Sequence, residues 1–118
     1  MRYMMLIYID EKALTEDERA KCYAASAAYA RELDEKGQFV ATSPLYPTAT
    51  ATSVKAGDGG KRIVMDGPFA ETREQLGGFF IVDVKNKDEA IEIAKKIPAG
   101  RFGTVEVRPI IPVEGLPS

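Results

Sequence analysis

The chain has 118 residues, a net charge of -2, one cysteine (Cys22) and no histidine. This length fits one domain, and we expect a single domain over residues 1–118 that ends in an extended tail at about residues 110–118. The composition, 45% hydrophobic and 29% charged, is typical of a globular protein. A lone cysteine excludes an intrachain disulfide, and we expect a cytoplasmic protein.

The absence of histidine excludes several chemistries. It removes the commonest general base near neutral pH, the Ser-His and Cys-His nucleophile pairs, and zinc or iron sites that need imidazole ligands. We therefore expect no metal site and no cofactor. Because both charge signs are spread along the chain without a basic patch, we expect neither nucleic acid nor a membrane as a partner.

The first two predicted elements are a strand and a helix. Residues Arg2–Asp10 are almost continuously apolar, which is typical of a buried strand. A helix is predicted over Leu14–Gly37, because Thr15 and Glu18 form a capping box and Gly37 supplies the stop. Four residues at helical spacing predict the buried face of this helix: Cys22, Ala25, Tyr29 and Leu33. At that position Cys22 is expected to be a small buried hydrophobic residue.

Strand patterns dominate the rest of the chain. A glycine-rich stretch, Gly57–Arg62, predicts a hairpin turn, and Gly77 and Gly78 predict a bulge or a close backbone approach. A second helix is predicted over Asn86–Ile97, ended by Pro98. The further strands are predicted over Gln38–Tyr46, Thr48–Ala56, Lys61–Asp66, Gly78–Val84 and Thr104–Ile110.

The resulting order is β-α-β-β-β-β-α-β. Without the hairpin Thr48–Asp66 it is the ferredoxin-like βαββαβ pattern of an α+β domain. Two helices can cover only one face of such a sheet, yet the first strand and the Gly78–Val84 strand are apolar on both faces. We therefore expect a homodimer in which the sheets of two copies pack face to face.

Four segments together resemble the YCII-related, DGPF-domain proteins. They are "DGPFAETREQLGGFFIVDV", "PTATAT", the opening "RYMMLIY" and the closing "VEVRP", and the resemblance covers about Arg2 to Pro109. It implies a dimeric α+β barrel, which agrees with the fold and the homodimer expected from the pattern of apolar residues.

The resemblance also implies several functions. Related YCII-type proteins carry a His-Asp pair in a cleft between helix and sheet, and one branch includes a dehydrochlorinase of chlorinated hydroquinones. The wider group includes muconolactone isomerases and haem- or quinone-handling monooxygenases. This chain lacks the histidine of the pair. DGPF genes often lie beside genes for extracytoplasmic-function sigma factors, which implies a regulatory link to such a factor.

Asp66 is the candidate catalytic residue, because it ends an apolar strand beside Gly67 and Pro68. A partly desolvated carboxylate there could act as a general base. The structural interpretation is an Asx turn that holds the corner, with Asp66 accepting from the backbone two residues on.

The candidate ligand-binding residues surround that corner or face the expected barrel. Arg73 could bind an anion, and Glu71 could share a site with Asp66, although both also suit a solvated surface. Phe69 is expected to anchor the loop in the core. Arg101 is a further candidate for binding an anion. The complete set of predicted ligand-binding residues is Gly67, Pro68, Phe69, Glu71, Arg73, Tyr8 and Arg108.

Three functions remain open at this point. The first is a small-molecule-binding or sensory module linked to transcriptional regulation. The second is a cofactor-free enzyme that acts on a small anionic or phenolic substrate with Asp66 as general base. The third is a structural or interaction protein that binds no ligand.

Overall fold

The computed structural model describes residues 1–117 and contains two sheets. The larger sheet has the order β2-β5-β1-β6, with every neighbouring pair antiparallel. Helices α1 (Glu16–Glu35) and α2 (Lys87–Lys95) connect its outer and inner strands. The four strands are β1 (Arg2–Ile9), β2 (Phe39–Pro44), β5 (Gln75–Asp83) and β6 (Gly103–Pro109). This is the predicted ferredoxin-like topology, and it is confirmed.

The core lies between this sheet and the two helices. Tyr3, Met5, Ile7 and Ile9, which alternate along β1, are buried against residues of both helices. Because successive side chains of a strand point to opposite faces, the residues between them lie on the other face. That other face carries half-buried apolar side chains, namely Met4, Leu6, Phe79 and Ile81.

The inserted hairpin forms a separate sheet of two strands, β3 (Thr52–Ala56) and β4 (Arg62–Asp66). We name residues Thr52–Asp66 the hairpin arm. The radius of gyration of the chain is 16.1 Å, whereas a compact chain of this length has about 13.5 Å. The arm contributes to this difference, because every residue of β4 is exposed.

The sequence predicted most element boundaries to within a few residues, with two corrections. The expected strand Thr48–Ala56 begins only at Thr52, because Thr48–Thr50 form a 3-10 turn after Pro47. On the predicted face of α1, Leu33 is buried and Tyr29 packs against the core, as expected. Ala25 is exposed and Ala30 is buried in its place, so the prediction is wrong only at Ala25.

The capping box at the start of α1 is confirmed. The Thr15 hydroxyl accepts from the Glu18 N–H at 3.1 Å, and the Glu18 carboxylate accepts from the Thr15 N–H at 3.0 Å. These bonds satisfy two backbone donors that a helix start otherwise leaves free. They set the position at which α1 begins to cross the sheet.

Residues 110–117 continue beyond β6 with a turn at Glu114 and Gly115. The last residue of the predicted tail, 118, lies outside the described residues. No helix within residues 1–117 combines the length and the apolar character needed to cross a membrane.

Candidate functional site

The Asp66–Gly67 corner is held by backbone hydrogen bonds. Gly67 has a φ of +94°, a conformation that favours glycine. Its N–H donates to the Ala51 carbonyl at 2.7 Å, and its carbonyl accepts from the Ser53 hydroxyl at 2.7 Å. The corner is therefore clamped to the start of the hairpin arm.

The Asp66 carboxylate takes no part in this clamp. The Asx-turn interpretation is wrong, because the residue two positions on is Pro68, which has no N–H to donate. The hydrogen bonds and ion pairs found across residues 1–117 leave the Asp66 side chain without a partner, and the residue is exposed. Phe69 is 89% exposed, so the expectation that it anchors the loop in the core is also wrong.

Four of the predicted site residues come together beside the corner. Gly67, Pro68, Glu71 and Arg73 line an open, polar cleft of about 680 Å³, which we name the corner cleft. Asp66, Phe69, Tyr8 and Arg108 do not line it. Tyr8 and Arg108 lie on the sheet face away from the helices, where Arg108 pairs with Met4 across the strands.

Three charged groups of the corner cleft, those of Asp10, Glu11 and Arg73, already have partners, whereas the side chains of Lys12 and Glu71 have none among residues 1–117. The Glu11 carboxylate accepts from the Thr48 N–H at 2.9 Å and from the Thr48 hydroxyl at 2.5 Å. The Arg73 Nε lies 3.4 Å from the Asp10 carboxylate. The first pair connects the turn Thr48–Thr50, which precedes the hairpin arm, to the body of the domain, so these contacts are accounted for by folding.

A second cleft lies between α1 and the sheet, and we name it the helix cleft. It has a volume of about 310 Å³ and is more enclosed and more apolar than the corner cleft. Ile7, Ile9 and Phe80 form its floor on the sheet, and Phe102 and Leu14 lie at its ends. Along α1 it is lined by Arg19, Cys22, Tyr23, Ser26 and Ala27.

Two glycines make room for the helix cleft. An added Cβ at Gly77 would lie 2.9 Å from the Ile9 side chain, and one at Gly78 would lie 3.0 Å from the Ser43 carbonyl. The strand register shifts between Ile7 and Tyr8, opposite Gly77, so the predicted bulge is confirmed. Both glycines line the cleft, where any larger side chain would reduce its volume.

Cys22 lies in the wall of the helix cleft and is half-buried. The prediction of a small buried hydrophobic residue is therefore met only in part, because Cys22 lines the cleft and is not packed against the sheet. Burial raises the pKa of the Cys22 thiol, while the nearby Ser26 hydroxyl and the charges of Arg101 and Arg19 act in the opposite direction. Since burial has the largest effect, the thiol is not an activated nucleophile.

The helix cleft suits binding more than acid-base chemistry. None of its lining residues is Asp, Glu or His, so it holds neither a carboxylate base nor a set of metal ligands. Elsewhere in residues 1–117, no group of three or more His, Cys, Asp or Glu side chains is arranged to hold a metal ion. What the cleft presents is apolar surface with one guanidinium, one thiol and several hydroxyls.

Sequence reasoning about the DGPF corner did not find the helix cleft. The available signals were the spacing of Arg19, Cys22, Tyr23 and Ser26 along one side of α1, and the double glycine of β5. Neither signal distinguishes a cleft from a core, because small and apolar residues at helical spacing are also what a packed helix presents to a sheet.

Comparison with known proteins agrees with this architecture. A solved structure of 5-chloro-2-hydroxyhydroquinone dehydrochlorinase from Burkholderia phenoliruptrix AC1100, in complex with 2,5-dihydroxybenzoquinone, shares the fold. It has a TM-score of 0.55 and 21% identity, with 94% of each chain covered.

Sequence comparison identifies the family. An uncharacterized protein of Rhizobium meliloti (strain 1021) is 36% identical over 115 residues, which are 93% of this chain and 92% of the relative. The model of the YCII-related domain matches residues 1–114. The chain therefore belongs to the YCII-related family.

Proposed function

We propose that the protein binds a small molecule with one planar ring in the helix cleft, as a binding or sensory module linked to transcriptional regulation. The observation that carries the proposal is the cleft of about 310 Å³. A cavity of about 150 Å³ holds a benzene ring, so this cleft has room for a ring with several substituents. Apolar walls with a few polar groups are typical of ligand sites.

The ligand of the structural neighbour supports the same size class. That protein was solved with 2,5-dihydroxybenzoquinone, a single ring with four oxygen substituents. The hydroxyls of Ser26, Thr42, Ser43 and Tyr23 around the helix cleft could donate to oxygens of this kind. Thr42 and Ser43 already donate to the Phe79 and Pro44 carbonyls, which leaves Ser26 and Tyr23 as the better donors to a ligand.

The enzyme alternative requires a base that reaches the bound ring. Asp66 lies outside both clefts, and no other carboxylate lines the helix cleft. The geometry therefore favours binding over base catalysis by this subunit. Full turnover by an Asp66→Asn variant, in any activity found, would exclude Asp66 as the general base.

A direct binding experiment tests the proposal. We expect hydroquinone and 2,5-dihydroxybenzoquinone to shift the amide resonances of α1 residues in two-dimensional NMR, with saturation. A Ser26→Phe variant, which fills the cleft, should lose these shifts, whereas Ala28→Phe, at an exposed position outside the cleft, should keep them. Absence of saturable shifts with every probe, or unchanged binding by a folded Ser26→Phe protein, would overturn the proposal.

A homodimer is the second part of the proposal. The sheet face away from the helices carries Leu6, Phe79 and Ile81, which a second copy would cover. Sedimentation velocity should show a dimer for the wild type and a monomer for Phe79→Glu, while Ala28→Glu on the outer side of α1 stays dimeric. A wild-type protein that is monomeric at micromolar concentration would contradict the proposed homodimer.

The regulatory link is the third part, and it derives from the resemblance to DGPF-domain proteins. If the protein senses a ligand for an extracytoplasmic-function sigma factor, deleting its gene should change the transcripts that this factor controls. The same transcripts should respond in cells that carry Ser26→Phe in place of the wild type. Unchanged transcripts in both strains would argue against a regulatory role.

A further inference from the structure

The helix cleft has an electrostatic character that its apolar walls do not suggest. Arg19 is its only charged lining residue and is half-buried on α1. A second guanidinium, that of Arg101, lies at the adjoining turn Pro98–Phe102, with its Cζ 5.5 Å from the centroid of the Phe102 ring. Phe102 itself lines the cleft, whereas Arg101 is exposed beside it and close enough to act on the Cys22 thiol in the cleft wall.

Neither arginine is neutralised by the protein. The ion pairs of residues 1–117 involve other cations, and none of the residues that line the helix cleft is a carboxylate. Arg101 is exposed and can be solvated, but the half-buried Arg19 guanidinium is a group that normally has a counterion, because water solvates it only in part. The chain as a whole carries a net charge of -2, so two unpaired arginines at the same cleft do not reflect a generally basic protein.

The two positive charges act on the interior of the cleft. Both lower the pKa of the Cys22 thiol, against the larger opposing effect of burial. Cys22 is a wall residue, so their field reaches the space that a ligand would occupy. The contact with the Phe102 ring also restricts where the Arg101 guanidinium lies.

We propose that the helix cleft selects small aromatic anions, with Arg19 and Arg101 binding the negative group at its opening and the apolar floor holding the ring. This inference rests on the proposed ligand cleft and adds the charge of the ligand. Guanidinium groups suit carboxylates and phenolates because their planar N–H donors match two oxygens at once. Phe80 and Ile7 of the floor would contact the ring.

A pair of probes of nearly the same size and shape, one an anion and one neutral, tests the inference. At pH 7 and low salt, we expect 4-hydroxybenzoate to bind about tenfold more tightly than 4-hydroxybenzamide, a difference of about 1.4 kcal/mol. Arg19→Gln and Arg101→Gln should each reduce this preference about threefold or more, and the double variant should abolish it. Arg31→Gln, at an exposed position of α1 outside the cleft, is the matched control and should keep the preference.

The outcomes separate the two proposals. If both probes bind equally and Ser26→Phe abolishes both, the cleft binds rings but the charge selection is wrong. If the preference survives in the double variant, the two arginines are not its cause and the inference is wrong. If neither probe binds and the neutral hydroquinone also fails, both the ligand cleft and its charge selection are overturned. Loss of the preference in Arg31→Gln would also contradict the assignment, because it would indicate a general charge effect.

Discussion

At Gly103 the backbone of β6 lies so close to β1 that no side chain fits between them. A Cβ built on Gly103 would lie 1.9 Å from the Tyr8 carbonyl oxygen and 3.0 Å from the Ile9 Cα. Its φ is 175°, which any residue adopts, so the conflict is purely steric. We expect Gly103→Ala to separate the strands at the pairs Ile9–Gly103 and Tyr8–Thr104.

The size of the effect follows from that separation. Overpacking alone costs about 1–3 kcal/mol, and here the clash is with backbone that cannot rotate away. Parting the strands also weakens backbone hydrogen bonds at about 0.5–1.5 kcal/mol each. We expect the free energy of unfolding to fall by about 3 kcal/mol or more, with a melting temperature lower by roughly 10–15 °C.

Urea unfolding followed by circular dichroism measures this loss. Gly100→Ala is the matched control, because its Cβ would meet only a methyl group of Val105, at 3.0 Å, which can shift. We expect the control to lose less than about 1 kcal/mol. If Gly103→Ala were as stable as this control, the close approach of β1 and β6 would be refuted.

Three further predictions concern Asp66 at the corner, the contact between Glu11 and Thr48, and the loss of stability at high pH. Asp66→Asn should change the free energy of unfolding by no more than about 0.5 kcal/mol, because the carboxylate is exposed and unpartnered within residues 1–117; a larger loss in urea unfolding would restore a structural role. Glu11→Ala should speed hydrogen exchange in the turn Thr48–Thr50, which precedes the hairpin arm, but not in β1 or β5, because it removes both bonds to Thr48; unchanged exchange in this turn would contradict the prediction. Burial, with a smaller effect of Glu32, raises the pKa of Tyr29 from its ordinary value of about 10 to about 12, so its contribution to stability is present below about pH 10 and is lost as the pH rises through about 12. The free energy of unfolding of Tyr29→Phe should therefore fall less than that of the wild type as the pH rises over this range. An equal fall in both proteins would show that Tyr29 does not cause the loss of stability at high pH.

The fold could be predicted because its signals are local and redundant. The Thr15–Glu18 capping box, the alternation along β1 and the stop at Pro98 each mark one element, and together they leave the ferredoxin-like order as the simplest arrangement. The wrong placement of Ala25 on the buried face of α1 shows the limit of prediction from helical periodicity. An alanine-rich helix has a weak apolar stripe, so packing rather than periodicity decided that Ala30 faces the sheet and Ala25 does not.

The candidate site was harder to predict, for a physical reason. A cleft is space between elements, and it depends on how far α1 stands from the sheet at Cys22 and Ser26. No residue type encodes that distance. The DGPF corner attracted functional interpretation because Asp66 is a chemically capable side chain, yet Pro68 already excluded the Asx turn, from the sequence alone.

The position of the hairpin arm has a consequence for how such proteins are recognised. The arm is an insertion within the connection of β2 and β5, which pair with each other without its help. The four-stranded sheet could in principle be closed by a short turn in its place. The DGPF residues therefore mark the end of the hairpin arm and its corner. The residues that line the helix cleft lie elsewhere in the sequence, among them those of α1 and the double glycine of β5. A protein can therefore share the DGPF corner with this chain and differ from it in the residues that line the helix cleft.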